Sequence, residues 1–313
     1  MSLQAIEHGV LGRTGLKVSI AGLGAGGDSR LGLSRGEPNA IRVVQVALDR
    51  GVNFFDTAEA YGTEEVIGLA LREVPRDRVV LSTKKTTNGG RALEAKEITS
   101  SLEASLKRLR TDYVDVYHLH GVAPGDYDAL RERAVPVLLE LRQQGKIRFL
   151  GITEKFAVDP GHRMLSAALD DDVWDVIMVG FNLLNQSARE RVFARARARH
   201  IGTLIMFAVR RALSRPERLR EVLTELAERR EITPGQAEEG LSFLVGGDVA
   251  ASLPDAAYRY CRHEPGADVI LTGTGSEAHL LENLASIQRA DLPGEVRARL
   301  ADLFGHLDHL SGQ

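Results

Sequence analysis

The sequence predicts a single (β/α)8 TIM barrel with an N-terminal β-hairpin and a C-terminal helical extension. Eight short runs of apolar or β-branched residues alternate with segments of helical spacing, which is the pattern of a parallel sheet covered by helices. Eight is also the number of strands that closes this barrel. No linker interrupts residues 1–313, so we expect one domain. An open, doubly wound sheet fits the same alternation and is the competing architecture.

The elements follow in order from the N-terminus. Residues Gln4 to Lys17 contain the turn signal Gly12-Arg13-Thr14-Gly15 and predict a hairpin. Apolar residues three or four positions apart between Ile98 and Leu109 predict an amphipathic helix. The segment Arg210 to Gly266 departs from the alternation and predicts two or more helices, with a break at Gly246-Gly247-Asp248. The eight predicted strands are Val18–Gly24, Val52–Asp56, Val79–Thr83, Val114–His120, Ile147–Thr153, Val173–Val179, Gly202–Phe207 and Asp268–Leu271.

Composition restricts the partners and the location. The formal net charge of -3 argues against a nucleic-acid partner, which normally leaves a basic face. No stretch approaches the ~20 apolar residues of a membrane span, and the first residues lack a basic leader before an apolar run. The single cysteine, Cys261, excludes an internal disulfide framework and fits a reducing compartment. We therefore expect a soluble, cytoplasmic protein.

Four titratable residues, Asp56, Tyr61, Lys84 and His120, lie at or just beyond the ends of predicted strands. Catalytic residues of this barrel gather at the C-terminal ends of several strands, whereas in an open sheet they would spread along an edge. A phenol with a pKa of about 10 is a weak acid alone, but an adjacent cation favours its ionised form. Asp56 would hold Lys84 charged, and His120 would orient a carbonyl. Reduction of that carbonyl also requires a hydride donor, which implies a nicotinamide cofactor.

Two other chemistries compete for these residues. His118 and His120 lie on one face of a predicted strand, as in some metal-dependent hydrolases, but no further histidine lies at a predicted strand end, so we predict no metal site. A carboxylate pair for glycoside hydrolysis would leave the tyrosine and the lysine unexplained. Its candidate residues are Asp56, Glu59 and Glu154.

Two glycine-containing segments bear on nucleotide binding. Gly22, Gly24 and Gly27 have the spacing of a dinucleotide-binding fingerprint, but the glycines and proline of Asp28 to Asn39 predict a loop where that motif needs a helix. Leu271 to Ser276 instead follows the last strand and precedes a helix, and loops after the last two strands of barrels often bind phosphates. Arg210 and Arg211, beyond the seventh strand, would add positive charge to that region.

Together these residues resemble the aldo-keto reductase family. The resemblance is dense from Leu11 to Leu184, sparse from Asn185 to Ala267 and partial afterwards. The segments that carry it are Gly12–Val18, Asp56-Thr57-Ala58 with Tyr61-Gly62, Ser82-Thr83-Lys84, Ser105–Leu109, Asp112–Asp115 with His120, Gly145–Arg148, Leu150–Ile152, Phe181–Leu184, Ile201-Gly202 and Glu282-Asn283.

The resemblance implies a (β/α)8 barrel and a nicotinamide cofactor, commonly the phosphorylated form. It also implies that Tyr61 is the general acid in reduction and the base in oxidation, that Lys84 paired to Asp56 lowers the pKa of the phenol, and that His120 completes the set. His120 is the match because the family histidine lies three residues after a tyrosine, here Tyr117.

The sequence departs from the family in the region expected to bind the cofactor. Thr153-Glu154 replaces the usual Ser-Asn, Met178 a glutamine, Met206 a stacking aromatic residue, Gly273 a lysine and His279 an arginine. The changes at Glu154 and Met178 lower the number of hydrogen bonds available to the nicotinamide carboxamide. Gly273 removes a charge that many members place against the 2′-phosphate. The residues expected to contact the cofactor are Gly24, Ala25, Asp56, Thr153, Glu154, Met178, Met206, Phe207, Arg210, Arg211, Gly273, Thr274, Gly275, Ser276, His279, Glu282 and Asn283.

The function expected from the sequence is hydride transfer between NADP or NAD, with NADP slightly preferred, and an aldehyde, ketone or sugar hydroxyl. The alternative is a cofactor-binding regulatory protein with weak or vestigial catalysis, because the catalytic set is intact while the nicotinamide contacts are altered. The substrate would be a small carbonyl compound or alcohol, held by Gly121–Tyr127, by Arg210–Gly266 and by the residues after Leu292. The sequence does not predict the oligomeric state.

Overall fold

Eight parallel strands close into a barrel in which each strand pairs with its neighbours along the chain and the last pairs with the first. The computed structural model describes residues 5–87, 93–247 and 249–313. The barrel confirms the predicted fold class. Its strands are β3 (Ala21–Gly24), β4 (Phe54–Asp56), β5 (Val80–Thr86), β6 (Val114–Val122), β7 (Ile147–Glu154), β8 (Val176–Gly180), β9 (Gly202–Met206) and β10 (Val269–Thr272), preceded by β1 (His8–Val10) and β2 (Lys17–Ser19).

The predicted hairpin is present, but its bounds differ from the prediction. β1 and β2 pair antiparallel with His8 opposite Ser19, so the residues expected to begin the first barrel strand, Val18 and Ser19, belong to the hairpin. The side chains of Ser19 and Asn53 explain the break. Asn53 accepts a hydrogen bond from the backbone N of Ser19 at 2.7 Å and donates its own backbone N–H to the serine hydroxyl at 3.1 Å. Gln4, the predicted start of the hairpin, lies outside the described residues.

Alternate strand residues form an apolar cluster with hairpin residues such as Leu11, Leu16 and Val18, which places that cluster at the hairpin end of the barrel interior. Farther along the strands the interior becomes polar, and His118 is fully buried there. Gly151 lies opposite His118 in the strand register, and a Cβ at this position would overlap the imidazole. The absence of a side chain at residue 151 therefore makes room for a histidine inside the barrel.

Helices cover the outside of the barrel and pack on the remaining strand residues. In the predicted amphipathic helix, Ile98, Leu102 and Leu106 are buried as expected. The segment Arg210–Gly266 contains more than two helices, as predicted, although Asp248 of the predicted break lies outside the described residues. The helices are α1 (Glu37–Asp49), α2 (Glu64–Ala70), α3 (Ala95–Leu109), α4 (Tyr127–Gln143), α5 (Arg163–Ala168), α6 (Ala194–Ala198), α7 (Arg211–Ser214), α8 (Pro216–Glu228), α9 (Pro234–Glu239), α10 (Leu253–Arg262), α11 (Glu277–Gln288) and α12 (Gly294–Phe304).

In the part of the chain that the structure describes, no helix is both long enough and apolar enough to cross a membrane.

Candidate active site

The strand register brings the four predicted catalytic residues to one end of the barrel. Asp56 is the last residue of β4, and Lys84 and His120 lie near the C-terminal ends of β5 and β6. Tyr61 follows β4 in a turn closed by a hydrogen bond from its backbone N to the carbonyl oxygen of Ala58 at 3.0 Å. The parallel arrangement of the strands therefore places all four side chains on the face where barrel enzymes hold their active sites.

Asp56 and Lys84 form a buried ion pair. The ammonium donates to Oδ2 of Asp56 and to the carbonyl oxygen of Thr57, each at 2.6 Å. The hydroxyl of Ser82 donates to Oδ1 of Asp56 at 2.8 Å, so both carboxylate oxygens are engaged. Burial raises the pKa of Asp56, and the contacts with Lys84 and Ser82 oppose that rise. Because the lysine side chain is fully buried, this pair fixes a positive charge inside the barrel mouth.

Tyr61 lies between that charge and the imidazole of His120. Its hydroxyl oxygen is 3.1 Å from Nε2 of His120, and the ammonium of Lys84 is 5.0 Å from the centre of its ring. Burial raises the pKa of Tyr61, and Lys84 lowers it only in part. The resemblance implied a phenol with a lowered pKa. The net shift of the Tyr61 pKa is instead upward, because desolvation of the phenolate outweighs the attraction of the ammonium.

Both histidines of β6 are uncharged at neutral pH. Burial and the nearby Lys84 lower the pKa of His120 to about 3, and burial lowers the pKa of His118 well below its usual value. His118 is opposite Lys84 in the strand register, two residues before His120, as expected for a side chain one layer deeper. Neither of its ring nitrogens has a hydrogen-bond partner among the described residues.

The residues expected to bind the carboxamide have different environments. Glu154 is fully buried, and its carboxylate interacts with Nδ1 of His162 at 2.9 Å and accepts from the backbone N of Gly180 at 2.8 Å. Thr153 accepts a hydrogen bond from the backbone N of Gly121 at 2.7 Å, which leaves its hydroxyl hydrogen available. Met178 belongs to the apolar cluster inside the barrel. Sequence reasoning missed His162, since nothing in the spacing indicates that this loop residue folds back onto Glu154.

Met206, the last residue of β9, packs on the interior cluster, and Phe207 follows it with a φ of 66°. The guanidinium of Arg210 lies 3.8 Å from the centre of the Phe207 ring. Burial, with the adjacent Arg211, lowers the pKa of Arg210 to about 10. Arg211 forms an ion pair with Asp28 at 2.9 Å, whereas Arg210 has no ion pair with any carboxylate of the described residues.

The loops after the first and last barrel strands meet at glycines. Gly24 is opposite Asp56 in the register, and Ala25 donates its backbone N–H to the carbonyl oxygen of Asp56 at 2.8 Å. A Cβ at Gly273 would lie 2.9 Å from the carbonyl oxygen of Gly24, and one at Gly275 would overlap the backbone of the same loop. Only glycine allows the backbones to approach this closely.

The remaining predicted cofactor residues surround the start of α11. The hydroxyl of Thr274 accepts from the backbone N of Ser276 at 3.1 Å, and Ser276 caps the helix by accepting from the backbone N of His279 at 3.4 Å. His279 and Glu282 are exposed, and Asn283 is half-buried. The N-terminus of α11 is therefore capped by Ser276, and the exposed His279 and Glu282 lie on the side that faces solvent.

Two observations concern the residues considered for the competing chemistries. Within the described ranges, no cluster of three or more histidine, cysteine, aspartate or glutamate residues is arranged to hold a metal ion. The carboxylates considered for glycoside hydrolysis each engage a separate basic side chain, namely Asp56 with Lys84, Glu59 with Lys85 and Glu154 with His162.

Comparison with known proteins identifies the class to which this fold and site belong. The model of the Aldo/keto reductase family matches residues 22–303, so the chain belongs to that family. It is 30% identical over 297 residues to aldo-keto reductase YhdN of Bacillus subtilis, covering 88% of this chain and 87% of the relative. It is 40% identical over 157 residues to L-galactose dehydrogenase of Arabidopsis thaliana, covering 47% of this chain and 48% of the relative. Family membership supports an oxidoreductase function.

A solved structure has the same fold. The holo form of aldo-keto reductase AKR11C1 from Bacillus halodurans superimposes with a TM-score of 0.74 over 96% of both chains, at 24% sequence identity. At this identity the likeness concerns the fold.

Proposed function

We propose that this protein is an NAD(P)-dependent oxidoreductase that transfers a hydride between nicotinamide and an aldehyde, ketone or sugar hydroxyl, with Tyr61 as the general acid and base. The observation that carries the proposal is the Tyr61 hydroxyl 3.1 Å from Nε2 of His120 and next to the buried Lys84–Asp56 pair. We also propose a cytoplasmic location, which the buried, free Cys261 supports.

Two features support a dinucleotide at the barrel mouth. The half-buried guanidinium of Arg210 has no carboxylate partner among the described residues and is therefore available for a phosphate. The start of the 12-residue helix α11 offers backbone amides, and its positive end favours an anion. When bound, the nicotinamide would supply the hydride for reduction or accept it in oxidation.

The protein's own groups account for the proton. In reduction, Tyr61 would donate its proton to the carbonyl oxygen, and Lys84 would stabilise the phenolate that remains. Asp56 holds Lys84 in place through the 2.6 Å contact. Neutral His120 would orient the carbonyl through Nε2 when that nitrogen carries the hydrogen. In oxidation the phenolate would take the proton of the alcohol.

A cofactor-binding regulatory protein with weak catalysis is the second candidate function. Two observations support it: His162 engages the carboxylate of Glu154, and Met178 is buried. Of the residues expected to bind the carboxamide, Thr153 keeps a hydroxyl hydrogen that is free to donate. The contact of Tyr61 with His120, next to the Lys84–Asp56 pair, favours catalytic activity.

Fluorescence titration with NADPH and NADH, followed by assays with a panel of aldehydes, ketones and aldoses, distinguishes these functions. The aldoses are included because one relative is named L-galactose dehydrogenase. Saturable binding with turnover supports the enzyme, and binding without turnover supports the regulatory protein. The absence of saturable binding would end both proposals.

A further inference from the structure

The turn that carries Tyr61 is joined to two other elements by the side chain of Glu59. Its Oε1 accepts hydrogen bonds from Nζ of Lys85 and from the backbone N of Thr86, both at 2.9 Å. Its Oε2 accepts a hydrogen bond from the hydroxyl of Ser101 on α3. One carboxylate therefore connects the turn to the end of β5 and to a helix on the outside of the barrel.

The same contacts extend to the strand that carries His120. Thr86 on β5 is the register partner of His120 on β6. The backbone N–H that Thr86 donates to the carboxylate of Glu59 therefore lies beside this histidine. Tyr117, three residues before His120 on β6, donates its hydroxyl to Ser101 at 3.3 Å. The position of the Tyr61 turn relative to β6 consequently depends on the carboxylate between them.

Glu59 is suited to hold the Tyr61 turn in place because its carboxylate is ionised and its side chain is mostly buried. Burial opposes its ionisation, but the hydrogen bonds from Ser101, Lys85 and Thr86 outweigh burial and keep its pKa below the usual value. Only 20% of its side chain is exposed. Hydrogen bonds to an ionised acceptor are stronger than neutral ones and restrict its motion.

Glu64 provides an internal comparison. It also joins β5 to α3, accepting from the hydroxyl of Thr83 and from Nε of Arg108, each at 2.6 Å. Glu64 belongs to α2, beyond the turn that carries Tyr61. A role that is only structural would thus be shared by both glutamates, whereas a role in placing the phenol would belong to Glu59.

We propose that Glu59 is a positioning residue that sets the separation between the Tyr61 hydroxyl and His120. The inference rests on the proposed reductase activity and deepens it, since proton transfer depends on this geometry. Glu59 acts through the turn and through β5 and takes no proton from the substrate.

Kinetic analysis of two substitutions at residue 59 tests the proposal. Glu59→Ala is expected to lower kcat about 10- to 100-fold, because small displacements of reacting groups are costly. KM and the Kd for NADPH should stay within about twofold, since uniform binding is not affected. Glu59→Gln keeps one acceptor and gains a donor for Ser101, so it should restore kcat to within about threefold of the wild type.

Glu64→Gln is the matched control and should lower thermal stability while leaving kcat within about twofold of the wild type. A wild-type kcat in Glu59→Ala, or an equal loss of kcat in Glu64→Gln, would overturn the proposal. If Glu59→Ala does not fold, Ser101→Ala removes one hydrogen bond to the same carboxylate and should lower kcat about threefold, with an unchanged kcat counting against the proposal.

A crystal structure of Glu59→Ala, or of Ser101→Ala in its place, gives a readout that does not require turnover. The distance between the Tyr61 oxygen and Nε2 of His120 should exceed the 3.1 Å of the wild-type chain. An unchanged distance would overturn the positioning role. A wild type that turns over no carbonyl would contradict the proposed function instead, and this distance would still decide the role of Glu59.

Discussion

Tyr61 experiences two opposite influences, and their balance determines its chemistry. Burial raises the pKa of the phenol, and the charge of Lys84 lowers it only in part. For the proposed reduction this balance would be favourable, because the phenol must keep its proton until the carbonyl oxygen takes it. After the proposed transfer, Lys84 would stabilise the phenolate. In this proposal the lysine acts mainly on the product of proton transfer.

The pH dependence of the reaction should follow from these shifts. With a pKa of about 3, His120 stays neutral above about pH 5. Because the raised pKa of Tyr61 keeps the phenol protonated, kcat/KM for reduction should be flat from about pH 5 to about pH 9. Oxidation needs the phenolate, so its rate should rise with pH over the same interval. A fall in reduction with an apparent pKa near 6.5 would show that His120 titrates and would contradict the assignment.

The meeting of the candidate catalytic residues could be predicted from the sequence because strand ends meet in any closed barrel. Asp56, Lys84 and His120 each lie near the end of a strand whose pattern is clear. The contact between Glu154 and His162 could not be predicted, since His162 lies in a loop with a left-handed backbone conformation, φ 59°. Its position depends on the packing of neighbouring elements, which a local pattern does not encode.

The pairing of β6 with β7 illustrates how two strands share the limited space inside the barrel. His118 and Gly151 are register partners, and the imidazole occupies the volume that a side chain at residue 151 would need. Strand alternation predicted that His118 points inward with His120. The complementary role of Gly151 could not be predicted, because it depends on the register between strands.

Gly151→Ala should therefore destabilise the protein. The added Cβ overlaps His118 on a rigid strand, and overpacking of a core commonly costs about 1–3 kcal/mol of unfolding free energy. Urea denaturation measures the change. Gly9→Ala is the control, because a Cβ at Gly9 meets no atom within 4 Å, and its effect should stay within about 0.5 kcal/mol. Equal stability of the two variants would contradict the packing described here.

The strands differ in how well the sequence predicts their ends. The apolar runs located all eight barrel strands, because most residues of each strand are buried. The hairpin bounds were wrong, since hydrogen bonds between Ser19 and Asn53 end the strand at a point that no local signal marks.

Closure of the barrel brings together residues that are far apart in the sequence, and it also buries the neutral imidazole of His118. The pairing of β10 with β3 completes the ring and places the loop of Asp28 beside that of Arg211. Eight alternating units predicted the ring, but the ion pair between Asp28 and Arg211 could not be predicted. Asp28 lies in an irregular turn, and Arg211 begins a short helix in a segment whose resemblance to the family is sparse.

The buried His118 should make stability depend on pH. Its folded-state pKa lies well below the unfolded value, so the unfolded chain binds more protons as the pH falls below about 6.5. Stability is thus full above that pH and falls by up to about 1.4 kcal/mol per pH unit below it. His118→Leu should reduce this slope between about pH 6.5 and about pH 5, measured by urea denaturation. The exposed His279→Leu should not, and an equal effect of both would contradict the assignment.

Single-turnover hydride transfer measured by stopped-flow fluorescence tests the central claim most directly. Wild type and Tyr61→Phe are each mixed, as NADPH complexes, with a carbonyl that the wild type reduces. The account predicts rapid oxidation of NADPH by the wild type and at least about a 100-fold slower reaction in Tyr61→Phe, with similar NADPH affinity in both. A Tyr61→Phe variant that oxidises NADPH at the wild-type rate would contradict the claim that this phenol delivers the proton.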